Sequence, residues 1–455
     1  MMLRSTNPAT LEVLGETPEF SPEDIERSLQ SAQRAFQTWR NVGIDERAAL
    51  MVSLASQLRA RKSDDAKLMS QEIGKTIKAA EAEIEKCALT CEYYGRHAAT
   101  FLEPEIVKTD VRESFVRFDP LGVVLAIMPW NFPFWQVVRF AAPALVAGNV
   151  GLLKHASNAQ LSARALEERF NDAKFPAGVF QNLPVSSARV APLIADSRIA
   201  AVTLTGSERA GSEVAKLAGS HLKKTVLELG GSDPFIVFSD ADVPRAAEVA
   251  LSARLQGNVG QSCIAAKRFI VEKSVTEKFT DLVVRGVQKL VVGDPLDPRT
   301  DVGPLATEQV LKDTESQIER SLAQGARILA GGTRGEGGYF FQPAVLINVT
   351  ESMPVCAEEM FGPVMPIIAF ENEEEAVRIA NNTPYGLGAS IFTSDLERAK
   401  RLASRIEAGA VFVNGQVKSD PRMPFGGVKR SGYGRELSHY GLKEFVNIKS
   451  VSIQQ

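Results

Sequence analysis

The stretch Leu121-Gly122-Val123-Val124-Leu125-Ala126-Ile127-Met128-Pro129-Trp130-Asn131-Phe132-Pro133 decides how the rest of the chain is read. Six apolar residues in a row, Val123–Met128, suit a strand covered on both faces, and the prolines that follow fix a bend at its carboxyl end. Downstream, short apolar runs alternate with helical patterns, and strands are expected at Gly151–Lys154, Val179–Asn182, Ala201–Thr205 and Thr225–Glu228. That alternation predicts an α/β fold with a doubly wound parallel sheet. After Gly230-Gly231 it restarts: strands at Phe235–Phe238 and near Arg268–Glu272, helices over Val243–Gln256 and Thr276–Leu290, hence a second α/β domain. Upstream the chain reads as mostly helical. Ser21-Pro22-Glu23-Asp24 opens a helix whose apolar stripe is Ile25, Leu29, Ala32 and Phe36, and further helices are expected over Asp45–Arg61, Ser63–Ile73 and Ala79–Leu102. Gly331–Gly338 reads as a surface hairpin. The alternation Phe445, Ile448, Val451, Ile453 suits a terminal strand able to pair with another subunit.

Composition excludes several classes of function. The chain has 455 residues, 52 Lys and Arg against 55 Asp and Glu (52 − 55 = −3), 44% apolar and 24% charged residues, as in a soluble protein of two or three domains. Its basic residues are scattered, so neither nucleic acid nor an anionic membrane is an expected partner. The longest apolar stretch is about half the ~20 residues a membrane helix needs. Met1–Thr10 carries no signal-like segment, which makes the cytoplasm the expected location. Four cysteines and four histidines at unrelated positions form no disulfide framework and no metal-ligand spacing, so no metal is expected.

Four segments could carry chemistry. Cys263 ends Asn258-Val259-Gly260-Gln261-Ser262-Cys263, where small residues between a helix and a strand leave a sulfur approachable. Most lone cysteines are small buried hydrophobes, and Cys87, Cys91 and Cys356 keep that reading. Asn131, in the bend after a strand, can offer an amide to an oxyanion. Glu228, ahead of Leu229-Gly230-Gly231, is an acid whose basicity apolar neighbours would raise. Thr205-Gly206-Ser207, between a strand and a helix, is a place for phosphate against helix N–H groups, although no complete Gly-x-Gly-x-x-Gly and no P-loop lysine is present.

Together with Glu358-Glu359-Met360-Phe361-Gly362-Pro363-Val364 and Pro424-Phe425-Gly426-Gly427, these segments resemble the aldehyde dehydrogenase superfamily over nearly the whole chain. The resemblance implies two Rossmann-like domains plus a small β oligomerisation element, giving dimers or tetramers. The cofactor domain would span 1–110 and 120–230, the catalytic domain 231–417, and the bridging element 111–119 with 430–455. It implies that Cys263 is the nucleophile, that the Asn131 amide and the Cys263 N–H hold the oxyanion, and that Glu228 activates water. Lys154 would reach the adenosine ribose, Gly206 and Ser207 the pyrophosphate, and Glu359 with Phe361 the nicotinamide riboside, with Trp130 and Leu229 beside them. NAD-preferring relatives place Glu three residues after the lysine, where this chain has Ser157. Two charges ~5 Å apart at an effective dielectric of ~20 interact by about 3 kcal/mol, so losing that acid admits a 2′-phosphate. NADP is therefore the expected cofactor, with NAD usable.

The longer matches Ile127–Pro133, Leu229–Val237 and Gly434–His439 are similar to the bacterial subgroup that oxidises succinate semialdehyde. By that resemblance Arg139 and Ser419 would hold the substrate's distal carboxylate, with Trp135 and Phe425 beside it. Gly257 replaces a second carboxylate-binding arginine, which points to a broader range, including glutarate semialdehyde and uncharged aliphatic aldehydes. Ala265 replaces the cysteine of a regulatory disulfide, so no local thiol switch is expected. A cysteine hydrolase or acyltransferase without redox chemistry is the reading from another class, and the lack of a histidine near any motif weighs against it.

Overall fold

The computed structural model describes residues 1–454; Gln455 lies outside the described residues. Four helices, α1 (Pro22–Trp39), α2 (Ile44–Ala60), α3 (Lys62–Ile73) and α4 (Ile77–Phe101), lead into the first sheet. α1 starts where Ser21 and Asp24 cap each other's backbone N–H groups reciprocally, with Pro22 at the first helical position. The expected helices over Asp45–Arg61, Ser63–Ile73 and Ala79–Leu102 differ from α2, α3 and α4 only at their ends.

The first sheet has six strands in the order Gly432–Tyr433, Lys224–Glu228, Ile199–Thr205, Val123–Met128, Val150–His155 and Phe180–Asn182. Five are parallel, and the short Gly432–Tyr433 pairs antiparallel at the edge. Helices α5 (Trp135–Val146) and α6 (Gln160–Asp172) connect strands and, with α1–α4, bury one continuous core. The second sheet runs Arg327–Ala330, Ala344–Ile347, Val364–Phe370, Arg268–Glu272, Pro234–Val237, Gly388–Phe392, Ala410–Val413, parallel except for its first edge strand. A three-stranded antiparallel sheet joins Val446–Ile453 to Glu113–Pro120 and Glu105–Ile106. Among the described residues no helix is long and apolar enough to cross a membrane.

Sequence periodicity did not reveal the N-terminal hairpin Met2–Thr6 with Val13–Pro18. Its hold on the body is polar and long-range: the Ser5 hydroxyl donates to buried Glu72, which also accepts from the backbone N–H groups of Leu161 and Ser162 at the start of α6. The expected hairpin at Gly331–Gly338 is closed by an antiparallel bridge between Arg334 and Phe341.

The two larger sheets meet end to end. Segments just after Val123–Met128 and Lys224–Glu228 touch the segment that leads into Arg268–Glu272: Asn131 bonds the Gln261 carbonyl, and Gly231 lies against the Cys263 carbonyl. The turn Leu229–Asp233 crosses directly from one sheet to the other. Backbone carbonyls in this seam are satisfied by buried arginines. Arg268 donates to Ser232, Ile379 and Ala380, and Arg254 to Met360, Gly362 and Val364. Replacing Arg268 by Met strands these carbonyls and should cost about 3 kcal/mol or more, read as a lowered denaturant midpoint. A loss below about 1 kcal/mol would show that the seam closes without this guanidinium.

Candidate active site

The loop of the expected nucleophile Cys263, between the helix Val243–Arg254 and the strand Arg268–Glu272, is built from strained backbone. Val259 lies at φ +53° and Gly260 at φ +76°, and a β-carbon at Gly260 would collide with the Gly362 carbonyl. A β-branched residue in the left-handed region is costly and persists only where surrounding contacts impose it. Those contacts are polar. Asn258 Nδ2 donates to the carbonyls of Asn131 (2.9 Å) and Gln261 (2.8 Å), Asn131 Nδ2 donates to Gln261 O (2.9 Å), and Gln261 Oε1 accepts from Ala306 N (2.9 Å). On the other side the buried Lys267 ammonium donates to the carbonyls of Ser262 (2.8 Å) and Cys263 (2.7 Å). The result presents Cys263 half-buried, its backbone N–H without a partner among the described residues.

Asn131 is brought to the same loop by the bend after Val123–Met128. Gln136, the second residue of α5, donates to Asn131 Oδ1 (3.0 Å), so the amide nitrogen faces the nucleophile loop. The bend itself is held by Glu83 of α4, whose Oε1 accepts from Phe134 N and Trp135 N (both 2.9 Å), satisfying the first N–H groups of α5. Glu83 pairs in turn with buried Lys75, whose ammonium lies 3.8 Å over the Phe132 ring.

Glu228 ends its strand almost without exposure, and neither carboxylate oxygen has a hydrogen-bond partner. Burial holds its carboxyl well above the usual carboxylate range; neighbouring Glu436 adds to this and Arg139 opposes it. Two of the three residues that follow are glycines set in tight quarters: a β-carbon at Gly231 would stand 2.6 Å from the Cys263 carbonyl, and one at Gly230 would meet the Glu359 carboxylate. Cys263 is itself affected by this setting. Burial pushes its thiol up to about 11, Arg139 and Lys267 pull it down, and Glu228 and Glu359 push it further up.

The cofactor candidates lie around the same seam. Lys154 is buried at the end of its strand, and burial lowers its pKa; it has no ion-pair partner among the described residues. Ser157 is exposed three residues on. Gly206 N donates to Glu228 O, and Ser207 caps the helix Glu208–Ser220 through Ala210 N. Leu229 is buried against Gly211 of that helix. Trp130 and Phe361 meet edge to face at 6.0 Å, and Glu359 accepts from Gly231 N (2.9 Å).

Arg139 already has an anionic partner within the chain. Its expected anionic partner was a substrate carboxylate, but the guanidinium is buried against the chain's own Glu436, donates to Thr205 Oγ1 (3.2 Å) and stacks 4.6 Å over the Phe425 ring. Arg139 and Phe425 thus stack on one another and do not line the cavity beside Trp135. Trp135 does line one, of about 300 Å³, beside the nucleophile loop, together with Phe132, Gly257, Ser262 and Ile264. Its charged lining is Lys75, Lys86, Arg254 and Lys418 against the single carboxylate of Glu83. Ser419 borders it through a hydrogen bond from Lys86 Nζ (2.6 Å). Sequence reading missed Glu436, Gln136, Lys267, Glu83 and Lys86. Only Glu436 lay in a quoted motif, and nothing local marks the others.

Residues 1–451 match the sequence model of the aldehyde dehydrogenase family. A probable NADP-linked succinate-semialdehyde dehydrogenase of Synechocystis is 49% identical over 454 residues, with both chains covered completely. The NAD(P)-linked succinate semialdehyde dehydrogenase of Escherichia coli K12 is 46% identical, covering 98% of this chain and 97% of its own. The crystal structure of the succinic semialdehyde dehydrogenase of Streptococcus pyogenes in complex with NADP+ superposes with a TM-score of 0.97 at 38% identity, both chains covered completely.

A thiol with so high a pKa should alkylate with iodoacetamide about tenfold faster for each pH unit between 7 and 9. A rate at Cys263 that levels off below pH 9 would show that local cations, and not burial, govern the free protein's thiol.

Proposed function

Because this chain belongs to the aldehyde dehydrogenase family, we propose that it oxidises succinate semialdehyde to succinate, with NADP preferred and NAD usable. The observation that carries the anionic substrate is the cavity beside the nucleophile loop, where four cations face one carboxylate. Family membership displaces the hydrolase and acyltransferase readings. An aqueous carboxylate entering such a cavity exchanges water for fixed positive charge in a region of low dielectric.

In this reading Cys263 attacks the aldehyde carbonyl, and the oxyanion accepts from the Cys263 N–H and the second N–H of the Asn131 amide. One Asn131 hydrogen already goes to Gln261 O, so the amide is fixed before substrate arrives, and a fixed donor costs no reorganisation in the transition state. A nicotinamide dinucleotide, when bound, supplies the hydride acceptor. Cys263 is left as a thioester, and Glu228 takes a proton from the water that cleaves it. Glu228 must be ionised for that step; burial raises its pKa, so the basic form grows as pH rises through that raised value and the hydrolytic step quickens in the same direction.

The residues present fit a dinucleotide. Lys154 is a buried ammonium without an anionic partner, Ser207 begins a 13-residue helix, and Trp130, Phe361 and Glu359 gather beside Gly231. Exposed Ser157 carries no charge to repel a 2′-phosphate. Outside the site, the exposed edge of Val446–Ile453, with Ile448 and Ile453 facing solvent, supports an oligomer built on the three-stranded sheet. We place this oligomer in the cytoplasm.

The deciding experiment is a kcat/KM panel of succinate semialdehyde, glutarate semialdehyde and butanal with both cofactors. Succinate semialdehyde with NADP should lead, and a higher value for butanal or for NAD would contradict the corresponding half of the proposal. C263A should abolish cofactor reduction, and E228Q should release about one equivalent of reduced cofactor per subunit and then slow sharply. Ser157→Glu should move the NADP-to-NAD ratio of kcat/KM about 100-fold towards NAD, the factor that a repulsion of about 3 kcal/mol allows.

A further inference from the structure

The peptide group between Pro133 and Phe134 is gripped on both of its polar sides. Its N–H donates to Glu83 Oε1 (2.9 Å), and its carbonyl accepts from Nε2 of the His155 ring (3.0 Å). At the start of α5, Gln136 N bonds Phe132 O and Val138 N bonds Phe134 O, and the imidazole serves the carbonyl between them. His155 is wholly buried at the end of the strand Val150–His155, one residue after Lys154. Its Nδ1 accepts from Ala156 N (2.8 Å), and Gln160 of α6 fastens the same turn by donating to Ala156 O (2.8 Å).

These bonds fix the tautomer. A ring nitrogen that accepts carries no proton, so the one N–H of the neutral imidazole is at Nε2, directed at Pro133 O. Burial lowers the pKa of His155 to about 4, the bond to Pro133 O opposes this, and neighbouring Lys154 adds to it. At neutral pH the ring is therefore an uncharged donor of fixed direction.

We propose that His155 is a positioning residue for the oxyanion donor: by fixing the peptide after Pro133 it holds the Asn131 amide where charge develops on the aldehyde oxygen. This rests on the reading above that the Asn131 amide stabilises that oxyanion. The bonds from Asn258 to Asn131 O and from Asn131 to Gln261 O tie the bend only towards the nucleophile loop. Glu83 holds it from α4, and His155 holds it from the first sheet. Without the imidazole, the buried Pro133 carbonyl is left unpaired, and the bend must move to find another donor. A shift of ~1 Å at a reacting group can cost roughly 100-fold in rate.

The test compares H155L, which removes the donor, with H155Q, whose amide nitrogen reaches about as far as Nε2 and restores it. The readout is kcat/KM at saturating NADP for whichever aldehyde is turned over fastest, since this constant covers addition and hydride transfer. It should fall roughly 10- to 100-fold in H155L and return to within about threefold of wild type in H155Q. The Kd of NADPH, followed by its fluorescence, should change less than about threefold in either variant, because Lys154 keeps its place. The decisive comparison uses N131A: if His155 acts through Asn131, adding H155L to N131A should lower kcat/KM by less than about threefold. An undiminished loss in that background assigns the effect to general damage and overturns the role of His155, leaving the oxyanion reading intact. Wild-type kcat/KM in H155L overturns it too, as does a loss confined to NADPH binding. An N131A enzyme as active as wild type removes the oxyanion reading itself, and the proposal with it. Should H155L fail to fold, H155Q and H155N decide, because the asparagine amide is too short to reach Pro133 O, and equal kcat/KM in the two refutes the proposal.

Discussion

Two sheets that meet end to end bring backbone carbonyls into a place where neither sheet can pair them. In this chain buried cations do so: Arg268 for the turn into the second sheet, Arg254 for the segment around Phe361, and Lys267 for the carbonyls of Ser262 and Cys263. Burying a charge is expensive, and each ammonium or guanidinium is tolerated because several carbonyl dipoles converge on it. The geometry of the site follows from this. The strained backbone at Val259 and Gly260 is held from one side by Lys267 and from the other by the Asn131 and Asn258 amides, so the thiol between them has little freedom to move.

The same burial sets the protonation of the reactive groups. Cys263 and Glu228 both stand above their ordinary values because desolvation penalises their charged forms, and the like charge of Glu436 acts on Glu228 in the same sense. Both shifts favour the uncharged forms of the two groups in the resting site. Linkage gives the matching stability effect. Glu228 contributes stability that is fully present below the ordinary carboxylate pKa and is lost as pH rises through its raised value. The site therefore gives up stability in the pH range where Glu228 becomes a competent base.

The parallel strands of the first sheet were legible as short apolar runs, and Val123–Met128 and Arg268–Glu272 coincide with the expected ranges, whereas Ala344–Ile347, Val364–Phe370, Gly388–Phe392 and Ala410–Val413 of the second sheet were not read. Helix positions were legible from periodicity and capping, as at Ser21 and Asp24. The N-terminal hairpin was not, because it is half exposed and held by Glu72, a residue with no local signature. In the site, residues in dense motifs could be named in advance, since steric limits such as those at Gly230 and Gly231 leave a local imprint. Gln136 and Glu83 left none: Gln136 acts through one hydrogen bond to Asn131 and Glu83 through two from the backbone at the start of α5, and any helix surface carries many such side chains.

Arg139 illustrates why a charged residue's partner is the hardest thing to read from sequence. Its surroundings, Trp135, Val138 and Phe140, correctly implied burial and hence the need for an anion. What they could not specify was which anion, because Glu436 approaches from the C-terminal segment, and only the fold brings it behind Glu228.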